Sequence, residues 1–403
     1  MTSSIKLSRR AEQVTDSITM AITALAQKMK KEGQDVLSFG AGEPDFDTPQ
    51  FIKDSGIKAI QQGKTKYTAA TGIIELKNAI CAKLLRDNGL TYTPEQIVIS
   101  CGAKHAIFNA MMTLIDEGDE VVIPGPYWVS YPDQVQLCGG VPVFIDTDDS
   151  TDFKISPTQL KSVLNAKTKM VILGSPSNPT GSIYTPQELA DLADVVLTHS
   201  TAMILSDEIY EKLVYAPHVA SSIASVSKAV QDRTVLINGV SKAYSMTGWR
   251  IGYSAAPVAI SKTMGMIQSH STSNPMTPAQ WASVDALIGP ETEVEAMRVA
   301  FQHRRDVMVE RLNQIPGISC ITPHGAFYAF PNIQACLGKV TPAGTLVSNS
   351  TEFCQALLKE ALVACVPGSG FGAEGYMRLS YATGLTEIET GLSRIHTWVN
   401  QLK

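Results

Sequence analysis

Three features of the sequence predict an α/β protein with a mostly parallel sheet in a large domain and a smaller α+β domain beside it. Between about residues 95 and 255, short β-branched runs alternate with helical periodicities. Proline and glycine punctuate the joins between these runs. The length of 403 residues exceeds one ordinary core and suits a large domain with a smaller partner.

The strand candidates are Ile97 to Ser100, Glu120 to Ile123, Met170 to Leu173, Met203 to Leu205 and Thr234 to Ile237. Turn chemistry follows several of them: Pro124-Gly125-Pro126 after the second, and Pro176, Pro179 and Gly181 after the third. Strands separated by helical segments pair in parallel and are covered by helices. Ligands then sit beyond the carboxyl ends of the strands, so the residues just past each run are the candidate site. Beyond Pro290, the periodicity of Met297, Phe301, Val307, Val309 and Leu312 predicts one long helix leading to a second domain. Strands at Gly317 to Ile321 and Ala326 to Phe330, with helices near 351–361 and 386–402, complete the small α+β domain. No internal repeat or low-complexity segment interrupts this plan.

Composition narrows the function. Hydrophobic residues make up 44% and charged residues 18%, with a net charge of -5. No basic surplus is available for nucleic acid or anionic lipid, so small molecules are the expected partners. The seven cysteines are odd in number, scattered and never spaced as CxxC, which argues against a disulfide framework and a zinc site and for the reducing cytoplasm; no metal is expected. No run approaches the roughly 20 apolar residues of a membrane span. Ser8, Arg9 and Arg10 are followed by Glu12 and Asp16 without an apolar block, so the N-terminal segment is expected to belong to the mature fold.

The window richest in chemistry runs from Ser241-Lys242 to Arg250, just after the strand ending at Ile237. A lysine in a walled pocket loses its proton and attacks an aldehyde, and an arginine holds a phosphate by paired hydrogen bonds. The competing reading of Lys242 and Arg250 is a solvated surface pair. Asp207, after Met203 to Leu205, suits the counter-charge of a protonated pyridine nitrogen, with Tyr210 three residues on; a helix cap is the bland alternative. Asn178 sits in a turn stiffened by Pro176 and Pro179, where it is either a donor to the same ring or plain turn chemistry. Gly102 and Ala103 open a helix closely enough for backbone N–H groups to meet an anion, or merely pack tightly. Trp128 is either a plate for an aromatic ring or a core tryptophan.

Taken together and in this order, these windows resemble the fold-type I pyridoxal-phosphate aminotransferases, specifically the prokaryotic branch of the class I aspartate aminotransferases. The resemblance spans nearly the whole chain, from Phe39-Gly40-Ala41-Gly42-Glu43-Pro44-Asp45 through Gly63-Lys64-Thr65-Lys66-Tyr67 to Met377-Arg378-Leu379-Ser380-Tyr381. It implies a seven-stranded, mostly parallel sheet in a large domain at 48–290, and a small domain formed by 1–47 with 291–403.

It also implies that Lys242 anchors pyridoxal 5'-phosphate and shuttles the proton, and that Asp207 pairs with the ring nitrogen. Asn178 and Tyr210 would bind the ring oxygen and Trp128 would stack on the ring. Gly102, Ala103, Ser241 and Arg250 would hold the phosphate, and Tyr67 would reach the phosphate of a neighbouring subunit in a homodimer with shared sites. Arg378, with Gly40 beside it, would grip the substrate α-carboxylate. Trp128 and Asn178 would also touch the substrate. Lys104, helped by Ser17 or Thr19, would meet the second carboxylate, although a local charge role for Lys104 is equally open.

The expected activity is ping-pong transfer of the amino group from L-aspartate to 2-oxoglutarate. Prephenate or aromatic specificity is the alternative within the branch, and a pyridoxal-phosphate lyase acting at Cβ is the alternative from another reaction class.

Overall fold

The computed structural model describes residues 6–8, 11–12 and 18–403. Its centre is a seven-stranded sheet of β1 (Ile97–Ser100), β2 (Glu120–Pro124), β3 (Val141–Ile145), β4 (Thr168–Gly174), β5 (Met203–Asp207), β6 (Thr234–Gly239) and β7 (Gly252–Ala255), in the order β1-β7-β6-β5-β4-β2-β3. Five of these are the strands read from the sequence; β3 and β7 are additional. All pairings are parallel except those of β7, which runs antiparallel to both β1 and β6.

The strands read as unbroken apolar runs because both faces are covered. Val121 and Ile123 turn to one face, against Ile107, Ala110 and Met111 of the helix Ala103–Leu114. Val122 turns to the other, against Leu189, Leu192 and Val196 of the helix Pro186–His199. That second helix starts where Thr185 and Glu188 satisfy each other's end of the chain, the side chain of each accepting from the other's backbone N–H. Each fully buried Val, Ile or Leu in these layers contributes about 1.5–3 kcal/mol.

Beyond the sheet, α1 (Thr292–Leu312) is the long helix expected after Pro290. It packs with α2 (Ser350–Ala361) and α3 (Leu385–Val399) around a second core containing Phe301, Phe327, Phe353, Leu357 and Trp398. A small antiparallel sheet pairs β8 (Tyr328–Ala329), β9 (Val366–Pro367) and β10 (Met377–Ser380) in the order β9-β10-β8. The N-terminal segment joins this unit. Leu37–Ser38 pairs in parallel with Val363–Ala364, and the Ser380 N–H donates to the Phe39 carbonyl at 2.8 Å.

One expected strand is absent. Gly317 to Ile321 forms only the isolated bridge of Ser319 to Asn332. The side chain of Asn313, at the end of α1, accepts from the Cys320 N–H at 2.8 Å and donates to the Cys320 carbonyl at 3.0 Å. A side chain thus takes the backbone partners a ladder would have used, while Gly317 turns the chain at φ 82°. Ala326 to Phe330 shortens to the two residues of β8.

Candidate functional site

The carboxyl ends of the parallel strands and the small sheet enclose a cavity of about 1000 Å³. Sheet register explains why distant sequence windows meet there. Gly174 at the end of β4 lies beside Asp207 at the end of β5, which lies beside Ile237 of β6. Asn178 and Lys242 therefore leave neighbouring strand ends on either side of Asp207. Because β7 is antiparallel, its amino end lies at the same edge: Gly252 pairs with both Ser100 and Gly239, so Arg250 arrives next to the start of the helix at Ala103.

Asn178, Trp128, Ala103, Lys104, Asp207, Tyr210, Ser241, Lys242, Arg250, Arg378 and Gly40 all line this one cavity. Gly102 adjoins it through Arg250. A Cβ on Gly102, whose φ is +87°, would overlap the Arg250 guanidinium, and one on Gly252 would overlap the backbone of Gly102 and Ala103. Two glycines therefore let the guanidinium and the helix start approach each other. Arg250 is itself held in the left-handed region at φ 57°, with Nη1 donating to the Thr247 carbonyl at 3.0 Å and Nη2 to the Cys101 carbonyl at 3.3 Å.

Lys242 Nζ donates to the Gly42 carbonyl. Its remaining surface faces the cavity rather than open solvent. Burial pulls its pKa down to about 8; the Glu43 carboxylate opposes the shift, and the Arg378 and Arg250 charges reinforce it. Asp207 is buried. It accepts from the Tyr131 hydroxyl at 2.8 Å and the Ile209 N–H at 3.3 Å, yet burial outweighs these bonds and raises its pKa above the usual carboxylate range. Arg378, 3% exposed, donates from Nη1 to Asn178 Oδ1 at 2.9 Å and from Nη2 to the Gly40 carbonyl at 3.0 Å. Its Nε is buried without a partner. Lys104 stands at the mouth, 4.9 Å from the Trp128 ring, with its pKa lowered by burial and by Arg250 while Asp133 draws it up.

Tyr67 is not brought into this cavity; it is 90% exposed. Ser17 and the side chain of Thr19 lie outside the described residues. Among the described residues no cluster suited to a metal ion is present, and no helix is long and apolar enough to cross a membrane.

Sequence reasoning passed over Tyr131, Tyr328 and Phe153. Tyr131 bonds Asp207 and meets the Trp128 ring edge to face at 5.3 Å. Its place three residues after Trp128, at the entry of the helix Ser130–Leu137, was a usable signal for two side chains on one face. Tyr328 and Phe153 reach the cavity from the small sheet and from a turn after β3, through contacts that no local spacing announces.

Known proteins show the same framework. Residues 34–395 match the sequence model of the family described as aminotransferase class I and II. The aspartate aminotransferase of Geobacillus stearothermophilus is 51% identical over 395 residues, covering 98% of this chain and 99% of that protein. The aspartate/prephenate aminotransferase of Cereibacter sphaeroides is 47% identical over 392 residues, covering 97% and 98%. The crystal structure of the aspartate aminotransferase from Rhizobium meliloti superposes with a TM-score of 0.96 at 44% identity, over 99% of this chain and 100% of that one. With the sheet order, the strand-end cavity and the full-length match in agreement, the chain belongs to the class I and II aminotransferase family, with the fold-type I architecture.

Proposed function

We propose that the protein is a pyridoxal-phosphate-dependent aspartate aminotransferase that moves the amino group of L-aspartate to 2-oxoglutarate. The observation that carries this reading is Asp207. Among the described residues it is a buried carboxylate on a cavity wall with hydrogen bonds only from neutral donors, Tyr131 and the Ile209 N–H. Such a group calls for a positive charge from a ligand. A protonated pyridine nitrogen fits it. The Arg250 guanidinium against Gly102, at the start of a helix, fits a phosphate. The Arg378 guanidinium on the cavity wall fits a carboxylate acceptor. The donor set therefore suits pyridoxal phosphate and an amino acid together.

In this reading Asp207 balances the ring nitrogen, Trp128 stacks on the ring, and Tyr210 and Asn178 meet the ring oxygen. Ser241, Arg250, Gly102 and Ala103 hold the phosphate. The bound cofactor supplies an electron sink for the pair left when the substrate α-carbon loses its proton. Lys242 Nζ takes that proton. Its lowered pKa makes it a competent base near neutrality, and the Gly42 carbonyl fixes its direction. Arg378 holds the α-carboxylate by its fork, with Gly40 and Asn178 fixing the guanidinium plane. Lys104 at the mouth meets the second carboxylate.

Amino and 2-oxo acids are thus the small-molecule partners. A homodimer with shared sites is supported by Tyr67, exposed and outside its own cavity, and by exposed apolar residues at Ile57, Ile60, Ile74, Met276 and Ile288. The division into 48–290 and 1–47 with 291–403 is supported by the separate cores and by the pairing of Leu37–Ser38 with Val363–Ala364. A cytoplasmic setting is supported by seven scattered cysteines, odd in number and never spaced as CxxC.

Prephenate as acceptor is the second reading, favoured by the cavity of about 1000 Å³ and by the name of the Cereibacter sphaeroides relative. Parallel assays of L-aspartate with 2-oxoglutarate and with prephenate separate the two. Turnover with 2-oxoglutarate at least about tenfold more efficient than with prephenate, roughly 1.4 kcal/mol of discrimination, is the expected outcome. The reverse ratio makes prephenate the main acceptor, and no turnover with either overturns the assignment.

A further inference from the structure

Tyr328 touches two functional groups of the site at once. Its hydroxyl is 2.8 Å from the Tyr210 hydroxyl, and its ring lies 4.4 Å from the Arg378 guanidinium carbon. It is fully buried on β8 and pairs through Ser380 with the strand that carries Arg378. Phe371 covers the guanidinium as well, with its ring 5.0 Å away. The phenol pair links the two parts of the molecule: Tyr210 follows β5 of the large sheet, and Tyr328 belongs to the small one.

Two neutral phenols share one hydrogen bond, and in it one must donate and the other accept. Burial raises both pKa values, so both hydroxyls keep their protons. Tyr210 lines the cavity and, in the reading above, gives its proton to the ring oxygen of the cofactor. A hydroxyl has only one proton to give. Its oxygen must then accept from Tyr328.

We infer that Tyr328 is a positioning residue that donates to Tyr210, turns the Tyr210 proton into the cavity, and at the same time fixes the plane of Arg378 with its ring. The inference rests on the assignment of the cavity to pyridoxal phosphate. The chain's own hydrogen-bond order is what it adds: ring-oxygen and carboxylate recognition share one residue of the small sheet.

The test is Tyr328→Phe, which keeps the ring and deletes the donor, studied with Tyr210→Phe and the double variant. Each holoenzyme is titrated with pH by absorbance of the bound cofactor, and cofactor affinity is measured by fluorescence. A hydrogen bond to the anionic ring oxygen favours that form, so weakening it raises the pH of the colour change. Tyr328→Phe is expected to raise that midpoint and weaken cofactor binding about threefold to tenfold, the scale of one neutral hydrogen bond, with KM for aspartate changed by less than about twofold because the ring remains. In the Tyr210→Phe background the same change should shift neither quantity further. An unaltered midpoint and affinity in Tyr328→Phe overturn the inference, as does an equal shift in both backgrounds. If the unsubstituted protein binds no cofactor, the assignment of the cavity fails instead.

Discussion

Lys242→Ala is expected to lose turnover by about 10⁴-fold while the protein stays folded and its cavity intact, because the substitution removes the base and leaves the surrounding donors in place. Among the described residues, the nearest candidates to replace it are engaged elsewhere. Lys104 stands at the mouth beside Trp128, and Glu43 is engaged by the Thr247 hydroxyl at 2.8 Å. Steady-state assays of the variant and its parent at equal cofactor loading measure the loss; retention of more than about a tenth of the rate excludes Lys242 as the base.

The same residue sets a pH signature in the cofactor-free protein. Its pKa is near 8 when folded against 10.5 for an ordinary lysine, so between these the unfolded chain binds the extra proton. Stability then rises with pH across the window, and the contribution of Lys242 is lost as pH falls through about 8. Comparing urea midpoints of parent and variant, the difference should move in favour of the parent by about 2–3 kcal/mol from pH 7 to 10.5. A flat difference contradicts the burial of Nζ.

Arg378→Lys is expected to reduce kcat/KM for aspartate by about 10²- to 10³-fold although the charge is kept. The guanidinium spans Asn178 Oδ1 and the Gly40 carbonyl with two separate N–H groups while it lines the cavity. An ammonium is a point donor and cannot hold this spread while also meeting the rings of Tyr328 and Phe371. Most of the loss should fall on KM for both amino acids and 2-oxo acids, since the α-carboxylate is common to them. A loss confined to the dicarboxylates would instead place Arg378 at the second carboxylate.

The sequence made the catalytic edge of the large sheet readable because strand ends in parallel sheets carry the ligand-facing residues. Asp207, Asn178 and Lys242 each follow an apolar run, and parallel register brings such ends together whatever the distance in sequence. β7 was harder to see. None of its residues Gly252 to Ala255 is β-branched, and Gly252 is small because it lies against Gly102 and Ala103. The failure at Gly317 to Ile321 has the same cause in another form, since the Asn313 side chain took the backbone partners of a segment whose composition suited a strand. Tyr328 lay within an expected strand, but the residues opposite it depend on the register of β8 with β10 and on the packing of two cores, neither of which is a local property. Tyr67 points outward from the single chain, so the part proposed for it in the site requires a second copy.

The most direct measurement is the half-reaction. Purified holoenzyme is mixed with L-aspartate alone, and products are counted per site. One equivalent of 2-oxo acid should appear and the reaction should stop, then resume with formation of glutamate when 2-oxoglutarate is added. Continuous release of pyruvate and ammonia, without an acceptor, from an amino acid that carries a leaving group on Cβ, or no product from L-aspartate at all, would contradict amino-group transfer at this cavity.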